Sequence, residues 1–294
     1  MTLDVTTTRD PGPGEVAVHV VAAGVNPLDV ATIAGRMQQI FPVEMPYTPG
    51  TDFSGIVAAV GTRVRRVRPG DRVVGRTAPQ AGGAFAEYLV TAAASVCSVP
   101  EALGFEQAAA LPTTFGSSHQ ALFNAGHLRA GQRVLIHAGA GGVGTMAIQQ
   151  AHCVGAHVIA TASGQNHALV KALGADEVVD YHVEDFAQLR DIDLVLDTVG
   201  GGTLEKSWSV LRPDGRIVSL VEFGIDARDG RHGEFVFFAD AAPSLPQAMR
   251  MFEAGQLRVI IDSVVPLTDT RAALEKVASR HARGKVIVSV GVSN

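Results

Sequence analysis

The six residues Gly139–Gly144 constrain the fold of this 294-residue chain more than any other segment. They read Gly-Ala-Gly-Gly-Val-Gly and fit the pattern G-x-G-x-x-G. The apolar run Arg133–His137, typical of a buried strand, precedes them, and a helical pattern over Val143–Cys153 follows. Glycines let a backbone approach a pyrophosphate, whose charge free N–H groups and the helix dipole stabilise. The candidate dinucleotide-binding residues are therefore Gly139, Gly141, Gly142, Val143 and Gly144.

Strand and helix patterns alternate after this turn. The sequence predicts strands at His157–Thr161, Glu177–Val179, Asp193–Leu196 and Arg216–Leu220, and helices at about Asn166–Leu173 and Leu204–Leu211. Such spacing predicts a parallel, doubly wound sheet with helices between its strands.

The chain before this alternation has a different character. Short β-like runs such as Val16–Val20 and Phe85–Val90 are separated by Gly and Pro, which predicts a compact, mainly β domain. The stretch from Leu257 returns to short strands around one helix, Thr270–Arg280, and is expected to rejoin that domain. We expect an α/β chain with a mainly β domain over residues 1–105, a doubly wound cofactor domain over 106–256 and a return over 257–294.

Composition excludes several function classes. A net charge of -5 argues against a broad nucleic-acid surface, and we interpret the basic stretch Arg63–Arg68 as a solvated loop rather than a phosphate site. Cys97 and Cys153 provide neither a disulfide framework nor a C-x-x-C zinc pair. No apolar run reaches the roughly 18 residues of a spanning helix, and no secretory leader pattern is present. We expect a cytoplasmic protein without a membrane partner.

The residues after the second strand bear on which dinucleotide binds. An NAD site has Asp or Glu about twenty residues after the turn, where it binds the adenosine ribose. This chain has Thr161-Ala162-Ser163-Gly164 there. A small polar residue leaves room for a 2′-phosphate, which favours NADP(H). The candidate partners are Ser163, Asn166, His167 and Lys171, and for the last three ordinary polarity of a surface helix is an equal alternative.

Further motifs extend over nearly the whole chain: Gly24–Asp29, Pro49–Gly55, Gly70–Val73, Gly83–Tyr88, Leu173–Asp176 and Arg283–Lys285. Together with the glycine turn, they resemble the medium-chain dehydrogenase/reductase superfamily, in its zinc-independent, zeta-crystallin-like quinone oxidoreductase branch. The resemblance implies a Rossmann cofactor domain and a GroES-like catalytic domain. Relatives usually begin with one or two more strands, so we expect a short catalytic domain at the N-terminus.

The resemblance also implies that no catalytic metal is bound. Zinc-dependent members carry a cysteine where this chain has Asn26 and a histidine where it has Thr51. Without a Lewis acid to stabilise an alkoxide, alcohol oxidation is disfavoured. Substrates that accept hydride readily, quinones and α,β-unsaturated carbonyls, are the expected class.

Site residues follow from matching the family's motifs. Asn26 is expected to donate a hydrogen bond to a developing oxyanion, and Asp29 to relay a proton or, as an equal alternative, to fix the loop. Ser117 corresponds to a position near the nicotinamide. Val199 and Val221 correspond to positions that line the dinucleotide. Tyr181 corresponds to a tyrosine beside the adenosine 2′-phosphate, although a half-buried aromatic at a strand end explains it equally well.

Three functional hypotheses remain open at this point. The first is an NADPH-dependent quinone or enone reductase, with catalytic residues Asn26 and Asp29. The second is an enoyl or alkenal reductase of a biosynthetic pathway, which would share these residues. The third is a dinucleotide-binding protein without turnover. Relatives commonly pair through the edge of the nucleotide-domain sheet, so the resemblance also implies a homodimer.

Overall fold

A computed structural model describes residues 2–5, 7–238 and 240–291. The chain divides into two compact units. Unit 1 comprises the described parts of Met1–Thr113, Ala239–Ala254 and Val259–Asn294, and unit 2 comprises Thr114–Phe238 and Gly255–Arg258. The first division falls within a helix, eight residues beyond the boundary expected at 105, and the segment around 245–253 belongs to unit 1 rather than to the cofactor unit.

Unit 1 is built on a seven-stranded sheet in the order β12-β13-β1-β2-β3-β5, with β4 also paired to β1. Only the β12–β13 pair is parallel among its described strands. The strands are β1 (Glu15–Gly24), β2 (Asp52–Val60), β3 (Arg72–Arg76), β4 (Tyr88–Ala92), β5 (Val96–Ser98), β12 (Ile261–Pro266) and β13 (Lys285–Ser289). The helices are α1 (Pro27–Ile33), α2 (Phe105–Ala109), α7 (Leu245–Glu253) and α8 (Thr270–Ala278).

Alternation in β1 shows how the sequence forms the core of unit 1. Val16, Val18 and Val20 are fully buried, whereas the residues between them are partly exposed, as expected for a strand with one face against a core. Phe53 of β2 and Leu274 of α8 pack into the same cluster. The mainly β character predicted for this part of the chain is confirmed.

Unit 2 contains a six-stranded, fully parallel sheet in the order β11-β10-β9-β6-β7-β8. The chain order reverses at β6, so the glycine turn after β6 lies at the switch point where α/β sheets bind ligands. The strands are β6 (Arg133–Ile136), β7 (His157–Ala162), β8 (Glu177–Asp180), β9 (Ile192–Asp197), β10 (Leu211–Ser219) and β11 (His232–Phe235). The helices are α3 (Leu111–His119), which spans the division, α4 (Gly142–Cys153), α5 (His167–Ala172) and α6 (Gly201–Ser207).

Two predicted elements were wrong in extent. The strand predicted at Phe85–Val90 begins at Tyr88, because the backbone N–H groups of Ala84 and Phe85 bond to the loop carbonyls of Gly50 and Pro49 instead of a neighbouring strand. The helix predicted at Leu204–Leu211 ends at Ser207, continues as a 3-10 turn, and Leu211 already belongs to β10. Within the described residues, no helix has the length and apolar character needed to cross a membrane.

Candidate functional site

The glycine turn connects β6 to α4, and steric limits explain its composition. A Cβ on Gly144 would collide with the carbonyl oxygen of Ala138, and one on Gly139 would lie 2.9 Å from Ala160 Cβ. Ala138 itself has a φ of 51°, a conformation that costs an L-residue about 1 kcal/mol. The turn therefore packs tightly against Ala138 and Ala160, and larger residues at 139 or 144 would open it.

The start of α4 provides donors for an anion. The first N–H groups of a helix have no partner inside the helix, and Gly141 at the N-cap offers no capping side chain. Gly142, Val143 and Gly144 form the first turn of this twelve-residue helix. Their N–H groups and the positive end of the helix dipole fit a pyrophosphate, so the turn fits a dinucleotide.

A buried histidine, His137, lies next to the glycine turn and is connected to it by hydrogen bonds. His137 is 1% exposed, with Nδ1 3.2 Å from Thr161 Oγ1 and Nε2 2.9 Å from Ser207 Oγ. Ser207 donates its own hydrogen to the carbonyl of Thr203, so its oxygen must accept from Nε2–H of His137. Thr161 Oγ1 then donates to Nδ1 and accepts from the N–H of Ala138. We therefore assign the neutral Nε2–H tautomer to His137. Burial lowers the pKa of His137 to about 4, although the nearby Asp197 carboxylate acts in the opposite direction.

Asp197 and Ser219, both fully buried, organise the loops after β9 and β10. One carboxylate oxygen of Asp197 accepts from the N–H groups of Val199 and Gly200 at 3.1 and 2.9 Å, and the other accepts from Ser219 Oγ at 2.7 Å. Ser219 Oγ in turn accepts from the N–H of Val221. Val199 and Val221 are 40% and 43% exposed at this strand edge. The pair thus fixes both valines that the sequence proposes for cofactor contact.

The remaining cofactor candidates lie after β7, after β8 and in the helices α5 and α3. Ser163 directly follows β7 and accepts a hydrogen bond from Asn166 Nδ2 at 3.0 Å. His167 begins α5, with Nε2 3.3 Å from the carbonyl of Ala162. Tyr181 follows β8 and is 52% exposed, and its ring centroid lies 4.3 Å from that of His182. Ser163, His167 and Tyr181 therefore share the carboxyl edge of neighbouring strands, whereas Ser117 is 5% exposed in α3.

In unit 1, Asn26 belongs to a buried polar cluster centred on Lys285. The Lys285 ammonium donates to Asn26 Oδ1 at 2.7 Å and to the carbonyl of Val25 at 2.6 Å. Asn26 Nδ2 donates to Asp52 Oδ2 at 3.0 Å and to the carbonyl of Gly24 at 3.3 Å. Both amide hydrogens of Asn26 therefore have acceptors within the protein. An oxyanion would have to replace one of them, and the longer bond to Gly24 is the weaker of the two.

Asp52 is surrounded by donors and cations. Thr113 donates to it through Oγ1 at 2.7 Å and through its backbone N–H at 3.2 Å. Arg76 and Lys285 lie 3.8 and 3.7 Å from its oxygens, and all three charged side chains are at least 95% buried. A buried carboxylate with two cations and three hydrogen bonds is well compensated.

Asp29 has a different environment in the same cluster. It is 2% exposed and accepts a hydrogen bond from the N–H of Asn26 at 2.8 Å, as the third residue of α1. Burial raises its pKa to about 7, against the lowering effect of that hydrogen bond, and the Asp52 carboxylate adds to the rise. Asp29 can therefore hold or release a proton near neutral pH.

The cluster does not fit a catalytic zinc ion. The ammonium of Lys285 is hydrogen-bonded to the residue at the cysteine position, and a second fixed cation would repel a divalent one. Asn26 and Thr51, whose Nδ2 and Oγ1 atoms lie 3.5 Å apart, lack the thiolate and imidazole that zinc prefers. Across the residues with described positions, no group of three His, Cys, Asp or Glu side chains could hold a metal.

Sequence reasoning missed Lys285, Asp52, Arg76, His137, Asp197 and Ser219 as site residues. One signal was available for five of them: each is a polar or charged residue at the first or last position of a strand. Such a residue is buried only where the fold provides partners for it, so it is a candidate for a polar cluster.

Two family models match the chain. The alcohol dehydrogenase GroES-like domain matches residues 12–101, and a model described as zinc-binding dehydrogenase matches residues 173–288. The mitochondrial NAD(P)H oxidoreductase RTN4IP1 of Danio rerio is 33% identical, over 95% of this chain and 84% of its own length.

Solved structures agree with this relationship. The quinone oxidoreductase of Coxiella burnetii superposes with a TM-score of 0.88 and 34% identity, over 97% of this chain and 93% of that one. The Escherichia coli quinone oxidoreductase complexed with NADPH gives a TM-score of 0.87 and 26% identity, over 97% and 94% of the two chains. This chain is an oxidoreductase with a nicotinamide dinucleotide cofactor and belongs to the medium-chain dehydrogenase/reductase superfamily, in its quinone oxidoreductase branch.

Proposed function

We propose that this protein transfers hydride from NADPH to a quinone or an α,β-unsaturated carbonyl without a metal. The observation that carries the cofactor part is the turn at Gly139–Gly144, where glycines and the first-turn N–H groups of α4 fit a pyrophosphate. Bound NADPH supplies the hydride. The protein positions the reactants and manages the proton.

The preference for NADPH over NADH rests on the end of β7. This strand ends at Ala162 without a carboxylate, and Ser163 follows with a hydroxyl that can donate to a phosphate. His167 and Tyr181 lie on the neighbouring elements. The E. coli relative was solved with NADPH, which supports the same choice here.

The polar cluster of unit 1 supports the proposed acceptor class. The amide of Asn26 and the hydroxyl of Thr51 provide no ligand set for a metal that could stabilise an alkoxide. The Lys285 ammonium, which donates to Asn26 Oδ1, further disfavours a cation there. Quinones and enones need no such metal, because their conjugated carbonyl groups accept hydride directly. They need instead a donor for the developing oxyanion and a proton.

Asn26 and Asp29 are the proposed catalytic residues. Asn26 can offer the oxyanion the hydrogen now bonded to Gly24, while the bonds to Lys285 and Asp52 keep its amide oriented. Asp29, with a pKa of about 7, can supply a proton. A loop-fixing role for Asp29 is the second reading, because its carboxylate closes a capping box with Asn26.

NADPH oxidation measured against a panel of quinones, enones and enoyl thioesters tests the proposal. Turnover of quinones or simple enones supports it, and turnover of enoyl thioesters alone would replace it with the biosynthetic reductase. Tight NADPH binding without turnover on any substrate would favour a non-catalytic binding protein. Tighter binding of NADH than of NADPH by the wild type would contradict the cofactor preference.

Asn26→Ala tests the catalytic assignment. We expect turnover to fall about tenfold or more, since loss of an oxyanion donor typically costs at least that much, with NADPH affinity unchanged. The exposed Asn124 provides the matched control, Asn124→Ala. An unchanged rate in Asn26→Ala would remove this residue from the mechanism.

We further propose a homodimer that acts in the cytoplasm. A light-scattering mass near 30.7 kDa, the mass of one chain, would contradict the dimer. Fractionation of cells that express the tagged protein tests the compartment, since the Danio rerio relative is named mitochondrial.

A further inference from the structure

The strand beside β7 brings a carboxylate to the place where β7 itself has none. Asp180 is the last residue of β8 and pairs in register with Ala162, the last residue of β7. Both side chains therefore lie at the carboxyl edge of the parallel sheet. A Cβ placed on Gly164 would lie 2.8 Å from Asp180 Oδ2, so this oxygen is directed at the backbone just after β7.

Two hydrogen bonds hold Asp180 in this orientation. Its Oδ1 accepts from the N–H of His182 at 3.0 Å, and its own N–H donates to Glu184 Oε1 at 3.0 Å. With Oδ1 occupied, Oδ2 remains the oxygen that faces Gly164. Glycine at position 164 is what makes room for it, because any side chain there would contact the carboxylate.

The negative charge of Asp180 is not balanced by an ion pair. Within the part of the chain that the structure describes, no Lys, Arg or His nitrogen lies within 4.0 Å of its oxygens. Lys171 lies on α5 and Glu184 adds a second negative charge close by. A dianionic phosphate at Ser163 would therefore meet an uncompensated carboxylate one strand away.

We propose that Asp180 is a specificity-determining residue for the dinucleotide, which accepts a hydroxyl of the adenosine ribose and opposes the 2′-phosphate. This inference rests on the proposed dinucleotide site and sharpens it. Carboxylates at the ribose position bind the two hydroxyls of NADH, whereas a phosphate on the 2′ oxygen removes a donor and adds like charge. Asp180 then limits the preference for NADPH that Ser163 favours.

Asp180→Asn is the decisive variant, because it removes the charge while its carbonyl oxygen can still accept from His182. We measure dissociation constants of NADPH and NADH by fluorescence titration of the intact protein at one ionic strength. We expect NADPH to bind about fivefold more tightly and NADH about threefold more weakly, a change of roughly fifteenfold in their ratio. A defect of folding would weaken both cofactors together, so opposite signs identify a direct role.

Asp191→Asn provides the matched control. Asp191 is exposed in the same unit and has a φ of 59°, which asparagine tolerates, so both affinities should remain within twofold of the wild type. Gly164→Ala is a second test that keeps the charge, since the new methyl group displaces Asp180 Oδ2 and should weaken NADH binding.

Each outcome is informative. A ratio that stays within twofold in Asp180→Asn, or a wild type that binds neither cofactor, overturns the role of Asp180. A wild type that prefers NADH, together with the expected change of ratio, contradicts the NADPH preference proposed above but supports the role of Asp180.

Discussion

The polar cluster of unit 1 and the glycine turn of unit 2 place opposite demands on side chains. The cluster depends on side chains. Lys285 and Asp52 are both hydrogen-bonded to Asn26, and all three residues are buried from solvent. The turn depends on the absence of side chains at Gly139 and Gly144, where a Cβ would meet the Ala160 methyl group and the backbone of Ala138, respectively. Charge balance therefore limits substitution in the first region, and volume limits it in the second.

This difference predicts how each region fails. A cluster member can be replaced only if the remaining charges keep partners, since a lone buried charge is costly. Gly139 and Gly144 cannot be replaced even by alanine without displacing neighbouring atoms, because a Cβ would lie 2.9 Å or less from them. The variants below test this contrast, in order of decreasing effect.

Lys285→Met should have the largest effect. It leaves Asn26 Oδ1 without its donor and Asp52 with Arg76 as its nearby cation, in a fully buried site. We expect a loss of about 3–5 kcal/mol in the free energy of unfolding, measured by urea denaturation. Lys276→Met is the control, because Lys276 is 45% exposed and 3.5 Å from Asp262, and surface pairs contribute about 1 kcal/mol or less. Equal losses in the two variants would show that burial of the cluster is unimportant.

Gly144→Ala should come next. Its methyl group meets the carbonyl oxygen of Ala138, so the turn must open. We expect a loss of about 2–3 kcal/mol and cofactor binding too weak to measure by fluorescence titration. Gly202→Ala in α6 is the matched control, since its Cβ would meet no atom within 4 Å. Normal cofactor affinity in Gly144→Ala would contradict the proposed phosphate site.

Asp29→Asn should change how the free energy of unfolding depends on pH. The folded state holds a proton on Asp29 up to a pKa of about 7, against 3.8 in the unfolded chain. Folded protein therefore binds more protons between these values, and stability from this residue falls as pH rises through them. Relative to wild type, the free energy of unfolding of Asp29→Asn should rise by about 2 kcal/mol between pH 5 and pH 6.5, measured by urea denaturation at each pH. A constant difference across that range would refute the raised pKa.

His137→Gln should give a smaller change with the opposite slope. His137 remains neutral in the folded state down to a pKa of about 4, against 6.5 when unfolded. The unfolded chain binds more protons in that window, so stability from this residue rises with pH from about 4 to 6.5. Replacing it should remove about 1 kcal/mol of this rise between pH 5 and pH 6, measured in the same titration. A variant that keeps the full slope would assign the rise to other groups.

The parallel sheet and the turn could be predicted because their signals are local. Each apolar run, like the glycine pattern, occupies one short continuous segment of the sequence, and periodicity reports directly on burial. The extent of β4 could not be predicted, since the bonds of Ala84 and Phe85 to a loop at 49–50 compete with strand pairing. Propensity carries no information about such tertiary competition.

The cluster shows a second limit. Asn26 and Asp29 were found by resemblance, but their partner Lys285 lies 259 positions from Asn26 in the chain, and no local pattern connects them. The carboxylate of Asp180 was missed for a related reason, because it reaches Gly164 from a neighbouring strand rather than from the position that follows the second strand. A search for a carboxylate about twenty residues after the glycine turn finds only residues at the end of the second strand. It cannot find a carboxylate that comes from the neighbouring strand.

The hydrogen bonds from Ala138 to Thr203 all point in one direction, each group donating to the next through Thr161, His137 and Ser207. Such a chain leaves a single labile imidazole hydrogen, on Nε2, enclosed in the protein. Enclosed hydrogens exchange slowly with deuterium oxide. The imidazole resonance of His137 can therefore serve as a built-in spectroscopic reporter of whether the dinucleotide turn is intact, before any ligand is added.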